Sequence, residues 1–247
     1  MIALKKFRAS LKIFLMAAFK PQITKTISAI PDIPAGVKVG DFIVARYTSS
    51  QWADEWYAVD EDWDHAALIS NLRPLKIIEV SGIPIRKDKK EGVVEYEFQK
   101  PRENGNNWLT DKLIKMKWLR PIFPDPIREK DHWLKPRTLK KKITEEEARK
   151  RAIKYARAQI GESFNGLSSK WNTEGWYCSK LIFKAYSLSI TDMYLESYLE
   201  AGDILTKPII KKISSGYWVT PEDLVDSKRS EVYYTWYNEN HLKHARK

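Results

Sequence analysis

The feature that most constrains this chain is a pair of apolar runs separated by a short polar break. Asp64-His65-Ala66-Ala67-Leu68-Ile69 is followed by Ser70 to Pro74 and then by Leu75-Lys76-Ile77-Ile78-Glu79-Val80. Two runs of strand length around a tight break read as an antiparallel hairpin. Directly opposed residues in a hairpin have numbers with a constant sum, so a turn at Asn71-Leu72-Arg73 predicts His65 straight across from Glu79. Their Cβ atoms would then lie about 5 Å apart on one face. A carboxylate in that position fixes the imidazole's tautomer and stabilises the imidazolium, as the third member of a hydrolytic triad does. A slip of one residue would send the two side chains to opposite faces.

The flanking sequence supplies more of the same sheet. Val39-Gly40-Asp41 turns into the β-branched run Phe42-Ile43-Val44-Ala45-Arg46, Val93 to Phe98 reads as a strand, and Lys115 to Ile122 as a further one. Pro121, Pro124, Pro126 and Pro136 keep the next connection irregular. A helix then starts at Thr144, where Glu147 completes a capping box ahead of Ala148, Ile153, Ala156 and Ile160, and Gly161 closes it. After a polar loop, Cys178 to Tyr186 reads as a buried helix with Cys178 in its first turn. Thr220-Pro221-Glu222-Asp223 signals a short late helix. This gives an α+β chain with a basic N-terminal extension over 1–36, one catalytic domain over 37–235 and a polar tail over 236–247.

Cys178 is the only thiol. A lone cysteine followed by Leu-Ile-Phe is most simply a small core residue. At a helix start, however, the macrodipole and unpaired backbone N–H groups lower a thiol's pKa and can cradle an oxyanion, and a neighbouring histidine would complete the activation. Trp176 and Tyr177 precede it as pocket walls or as core aromatics. A single cysteine rules out an intramolecular disulfide, and neither the thiols nor the histidine cluster of a metal site is present. His132, His241 and His244 lack a third ligand nearby, and no glycine-rich phosphate loop occurs. No metal or cofactor is therefore expected. Glu95 and Glu97 alternate with apolar neighbours as a solvated strand face, and one of them is the second candidate for the orienting carboxylate.

Forty-three Lys and Arg against 32 Asp and Glu give a formal +11, which favours anionic partners such as nucleic acid, an acidic membrane surface or an anionic polymer like cell wall. The lysines are scattered and no nucleic-acid recognition motif is present, so no specific nucleic-acid partner is expected. Residues 1–20 show helical apolar spacing with basic residues between, at a length too short to span a bilayer. A helix packed on the domain, a membrane-surface helix and a weak export signal all fit, which leaves cytoplasmic and membrane-associated locations open. The sequence gives no oligomeric state.

The ordered set His65, Glu79, Cys178 resembles the circularly permuted, NlpC-like papain-fold cysteine peptidases and amidases of the YiiX/YaeF type. Gly40-Asp41-Phe42-Ile43, Asp64-His65-Ala66-Ala67-Leu68, Ile77-Ile78-Glu79-Val80 and Tyr177-Cys178-Ser179-Lys180-Leu181 are similar to its opening, histidine, carboxylate and nucleophile segments. The resemblance implies a permuted papain-like fold: an antiparallel sheet or half-barrel packed on helices, with the nucleophile at a helix N-terminus. It also implies cleavage of peptide or isopeptide-like amide bonds, with cell-wall peptides as the expected substrate. Cys178 would be the nucleophile, His65 the base, Glu79 the orienting group, and Tyr177 and Ser179 would line the substrate site. Lys180 departs from the family, which commonly carries an acid there. Lecithin-retinol-acyltransferase-like proteins share this architecture, so acyl transfer or thioester cleavage on lipids is an alternative. Non-catalytic binding of an anionic polymer is another.

Overall fold

A computed structural model describes residues 32–47, 63–81, 92–99, 113–130, 141–166, 168–195 and 218–238. The expected helix over 1–20 and His132, His241 and His244 lie outside them.

Six strands make one antiparallel sheet: β1 (Phe42–Tyr47), β2 (His65–Leu72), β3 (Leu75–Ser81), β4 (Gly92–Glu97), β5 (Leu113–Pro121) and β6 (Ser230–Tyr237). They lie in the order β4-β3-β2-β1-β5-β6. Among the described residues, three helices accompany them: α1 (Glu145–Arg157), α2 (Cys178–Ser187) and α3 (Pro221–Asp226). The architecture is mixed α and β, as the sequence predicts. β6 was not foreseen, and its pairing with β5 carries ordered chain past the expected start of the tail at 236. Asn238 is buried and bonds the backbone of Leu113 and Ile114.

The near-continuous apolar runs of β1 and β2 have a simple cause, since both faces of the central sheet are covered. Phe42, Val44, Ala66, Leu68, Ile78 and Val80 pack with Ala148, Ala152, Leu181 and Ile182 of α1 and α2. Ile43, Ala45, Ala67, Ile69 and Ile77 belong to a second cluster with Phe98, Met116 and Trp118. Helix α2 lies against β2 and β3, and α1 packs on α2.

Local chemistry sets the helix ends. Thr144 and Glu147 form the predicted capping box. Thr220 and Asp223 form a second one, with Pro221 in the first turn of α3. A buried ion pair joins β1 to α1: Arg149 Nη1 donates to Asp41 Oδ1 at 2.7 Å, and Arg120 approaches the other carboxylate oxygen at 3.4 Å.

The hairpin that opened the sequence reading forms in a different register. Leu72 pairs with Leu75, which leaves Arg73 and Pro74 as the tip. A bulge at Ser70 then resets the pairing, so that Glu79 stands opposite Ala67 and not His65. The slip from the expected register is two residues, an even number. His65 and Glu79 therefore share a face as diagonal neighbours.

Candidate active site

His65 is the first residue of β2, and Glu79 reaches it diagonally from β3 on the face of Ala67, Ile69 and Ile77. His65 Nε2 and Glu79 Oε2 are 2.6 Å apart. The carboxylate is nearly closed off from solvent, whereas a quarter of the histidine side chain is open to it. The second carboxylate oxygen of Glu79 accepts from Tyr96 Oη at 2.8 Å. Upstream, Asp64 accepts from Arg46 Nη1 at 2.9 Å and from the Tyr47 backbone N–H at 2.8 Å, which pins the entry to β2 beside the histidine.

Cys178 arrives from the opposite side of the sheet, on the helix packed over Ala66 and Leu68. It is the first residue of α2, after an extended Tyr177, and the first turn of that helix carries no acidic side chain to neutralise its positive end. The thiol is hydrogen-bonded to the His65 ring. With Nε2 engaged by Glu79, Nδ1 is the ring nitrogen left for the sulfur. The backbone N–H groups of Ala66 and Ser179 also point at the sulfur. The site thus straddles the end of β2, with the nucleophile from the helical layer and the histidine and carboxylate from the other face.

The electrostatics follow from that arrangement. Burial works to raise the Cys178 pKa, but the His65 charge, its hydrogen bond and the two backbone donors outweigh it and hold the thiol below its ordinary value. Burial likewise works to lower the His65 pKa. The adjoining thiolate and then Glu79 reverse this and lift it to about 10. Both shifts favour the thiolate–imidazolium form of the pair over the neutral one. Burial, then the charges of Glu79 and Asp64, push the nearby Tyr47 phenol well up.

Tyr177 and Ser179, expected to line the substrate site, flank Cys178 and bond a neighbouring segment. Both side chains are buried. Ser179 Oγ donates to the Val219 carbonyl at 2.7 Å, and the Val219 N–H donates to Tyr177 Oη at 3.2 Å. Their polar atoms clamp the chain before α3 onto the start of α2. Ser179 serves the site through its backbone. Of Glu95 and Glu97, between which the second candidate for the orienting carboxylate lay, Glu95 is on the other face: it accepts from Arg157 at 2.8 Å and from Ser70 Oγ at 2.5 Å, away from His65.

Lys180 is fully buried, and its ammonium donates to Ser168 Oγ at 2.8 Å, the Glu174 carbonyl at 3.0 Å and the Gly175 carbonyl at 2.7 Å. It ties the polar loop ahead of the nucleophile to α2. Tyr96, Tyr47 and Asp64 were not singled out from sequence, and alternation along β4 was the available signal for Tyr96. Among the described residues, no group of three or more His, Cys, Asp or Glu is placed to hold a metal ion.

No protein-family model matches the chain, and no curated protein matches it significantly. Among solved structures, it is similar to the crystal structure of metalloprotein yiiX from Escherichia coli O157:H7. The identity is 16% and the TM-score 0.48, over 81% of this chain and 98% of that one. At that distance no chemistry of yiiX transfers by position, and the chemistry of this chain rests on its own residues.

Proposed function

We propose that the protein is a cysteine hydrolase of the permuted papain-like, NlpC-like type, cleaving amide bonds of peptide or isopeptide kind. One observation carries this reading: a continuous line of hydrogen bonds from the Glu79 carboxylate through His65 to a thiol at the first residue of a helix. The chain order supports the permuted assignment, because the histidine and carboxylate strands precede the nucleophile helix. The +11 formal charge supports a substrate carried on an anionic polymer such as cell wall.

In the proposed reaction the Cys178 thiolate attacks the carbonyl carbon. The C–S bond forms as the carbonyl π electrons move to oxygen, and the Cys178 backbone N–H, unpaired by its place at the helix start, donates to that oxyanion. Collapse breaks the C–N bond, with His65 giving its proton to the leaving amine. Water then attacks the acyl-enzyme as His65 takes a proton from it. Breakdown of the second tetrahedral species releases the carboxylic acid and restores the thiolate–imidazolium pair. Glu79 keeps the ring oriented throughout.

The test is intact-mass spectrometry after incubation with a panel of acyl p-nitrophenyl esters and peptide anilides. A hydroxylamine-labile adduct on Cys178, absent from Cys178→Ala and slow to form in His65→Ala, is the expected result. A thiol that alkylates readily yet acylates with no member of the panel would sink the reading.

A further inference from the structure

On the face of the sheet that holds His65, four polar side chains cross four adjacent strands: Tyr47 on β1, His65 on β2, Glu79 on β3 and Tyr96 on β4. Tyr96 pairs with Ile77, two residues from Glu79, so it is the diagonal neighbour of the carboxylate on its own face. Its hydroxyl takes Oε1 at 2.8 Å while His65 takes Oε2 at 2.6 Å. The last torsion of a glutamate is broad and roughly two-fold, so a carboxylate held by one oxygen can swing. Holding both oxygens fixes its plane and keeps an Oε2 lone pair aimed at Nε2.

We propose that Tyr96 is a positioning residue of this site, acting on Cys178 only through Glu79 and His65. The inference rests on the cysteine-hydrolase reading and adds a fourth member to its hydrogen-bonded line. Tyr96 is only half-buried, so water was open to its hydroxyl as a partner. It instead donates to a carboxylate that is 4% exposed. Its neighbour Glu95 serves Arg157 and Ser70 on the other side of β4. Among the described residues, His65 from β2 and Tyr96 from β4 bond Glu79, and the carboxylate's charge acts on the Tyr47 phenol of β1.

The experiment is a double-mutant cycle read by the rate of Cys178 alkylation at pH 6.5 in the full-length protein. The variants are Tyr96→Phe, Glu79→Ala and both together, with Tyr234→Phe as the control. Tyr234 lies in the same apolar cluster but on β6. Phenylalanine fills the same space and removes one oxygen, so circular dichroism should be unchanged. Tyr96→Phe should slow alkylation about 3- to 30-fold, the part of a charge-assisted hydrogen bond that reaches the sulfur. In the Glu79→Ala background the same change should add nothing beyond about twofold. Wild-type speed in Tyr96→Phe, equal slowing in both backgrounds, or an equal effect from Tyr234→Phe would overturn the role of Tyr96 alone. A wild-type thiol with the ordinary cysteine pH profile would overturn the hydrolase reading and this inference together.

Discussion

His65→Ala is the perturbation whose size can best be worked from the geometry. An unperturbed thiol, with a pKa of about 8.5, is thiolate in roughly one molecule in 300 at pH 6. Removing His65 takes away the charge and side-chain hydrogen bond that depress Cys178 but leaves the Ala66 and Ser179 N–H donors. Each of those is worth about 0.5 to 1.5 kcal/mol, or up to one pKa unit. The loss of thiolate at pH 6 therefore stays below about 300-fold. A thiolate of higher pKa is also the better nucleophile, by about threefold per unit, which narrows the gap further. We expect alkylation at pH 6 to slow about 10- to 100-fold, and the variant to match or overtake the wild type by pH 9.5. With one cysteine in the chain, fluorescent iodoacetamide reports this site alone. Superimposable pH profiles for the two proteins would refute the reasoning, because the sulfur would then owe nothing to the imidazole. A wild-type thiol that reacts only on unfolding would refute it as well.

Two further outcomes follow from buried charge. Arg149→Leu removes the close cation from the fully buried Asp41 carboxylate and leaves it the Lys38 backbone N–H at 2.9 Å and the longer Arg120 contact. It should cost about 3 kcal/mol in a urea melt, the lower end for a broken buried pair, and a loss under about 1 kcal/mol would contradict that. Burial first, and the Lys184 charge second, lower the Lys180 pKa from 10.5 to about 8. Between those values the unfolded chain holds a proton that the native state has released, so Lys180 makes stability rise as pH climbs from about 8 to 10.5, with a ceiling of about 3 kcal/mol. Lys180→Met should flatten that rise, and an unchanged slope between pH 7.5 and 10 would show that Lys180 is not its source.

Most strands and both longer helices were legible because they rest on local rules. The capping box at Thr144, the proline after Thr220 and the apolar runs of β1 to β5 each specify their element within a few residues. β6 was missed because Ser230 to Tyr237 is an outer strand, exposed in part and mixed in character, whose pairing with β5 is set at long range. The bonds that Tyr177 and Ser179 make with Val219 were not legible for a related reason. Sequence places them beside the nucleophile, but which neighbour takes a polar side chain depends on where residues 218–220 come to lie. Tyr96 bonds Glu79 across a strand pair that no short motif encodes.

The meeting of His65 and Glu79 was expected from a turn that does not form, and its survival has a specific cause. With Arg73 and Pro74 at the tip, Leu72 opposes Leu75 and Asn71 opposes Lys76. Continued without interruption, that register would put Glu79 opposite Leu68, on the face that packs against the helices and away from His65. The bulge at Ser70 spends one extra residue of β2 and moves Glu79 opposite Ala67, which restores the shared face. Ser70 therefore matters to the site as a count rather than as a side chain. Deleting it should abolish rapid alkylation of Cys178 at pH 6, since either the histidine end or the turn end of the hairpin must then be out of phase. Ser70→Ala gives up only the bond to Glu95 and should leave the rate within about twofold, as an ordinary neutral change distant from the sulfur. If the deletion variant melts cooperatively and still alkylates at the wild-type rate, the bulge is not what aligns the pair. The 2.6 Å contact would then have to be set by the ends of the strands.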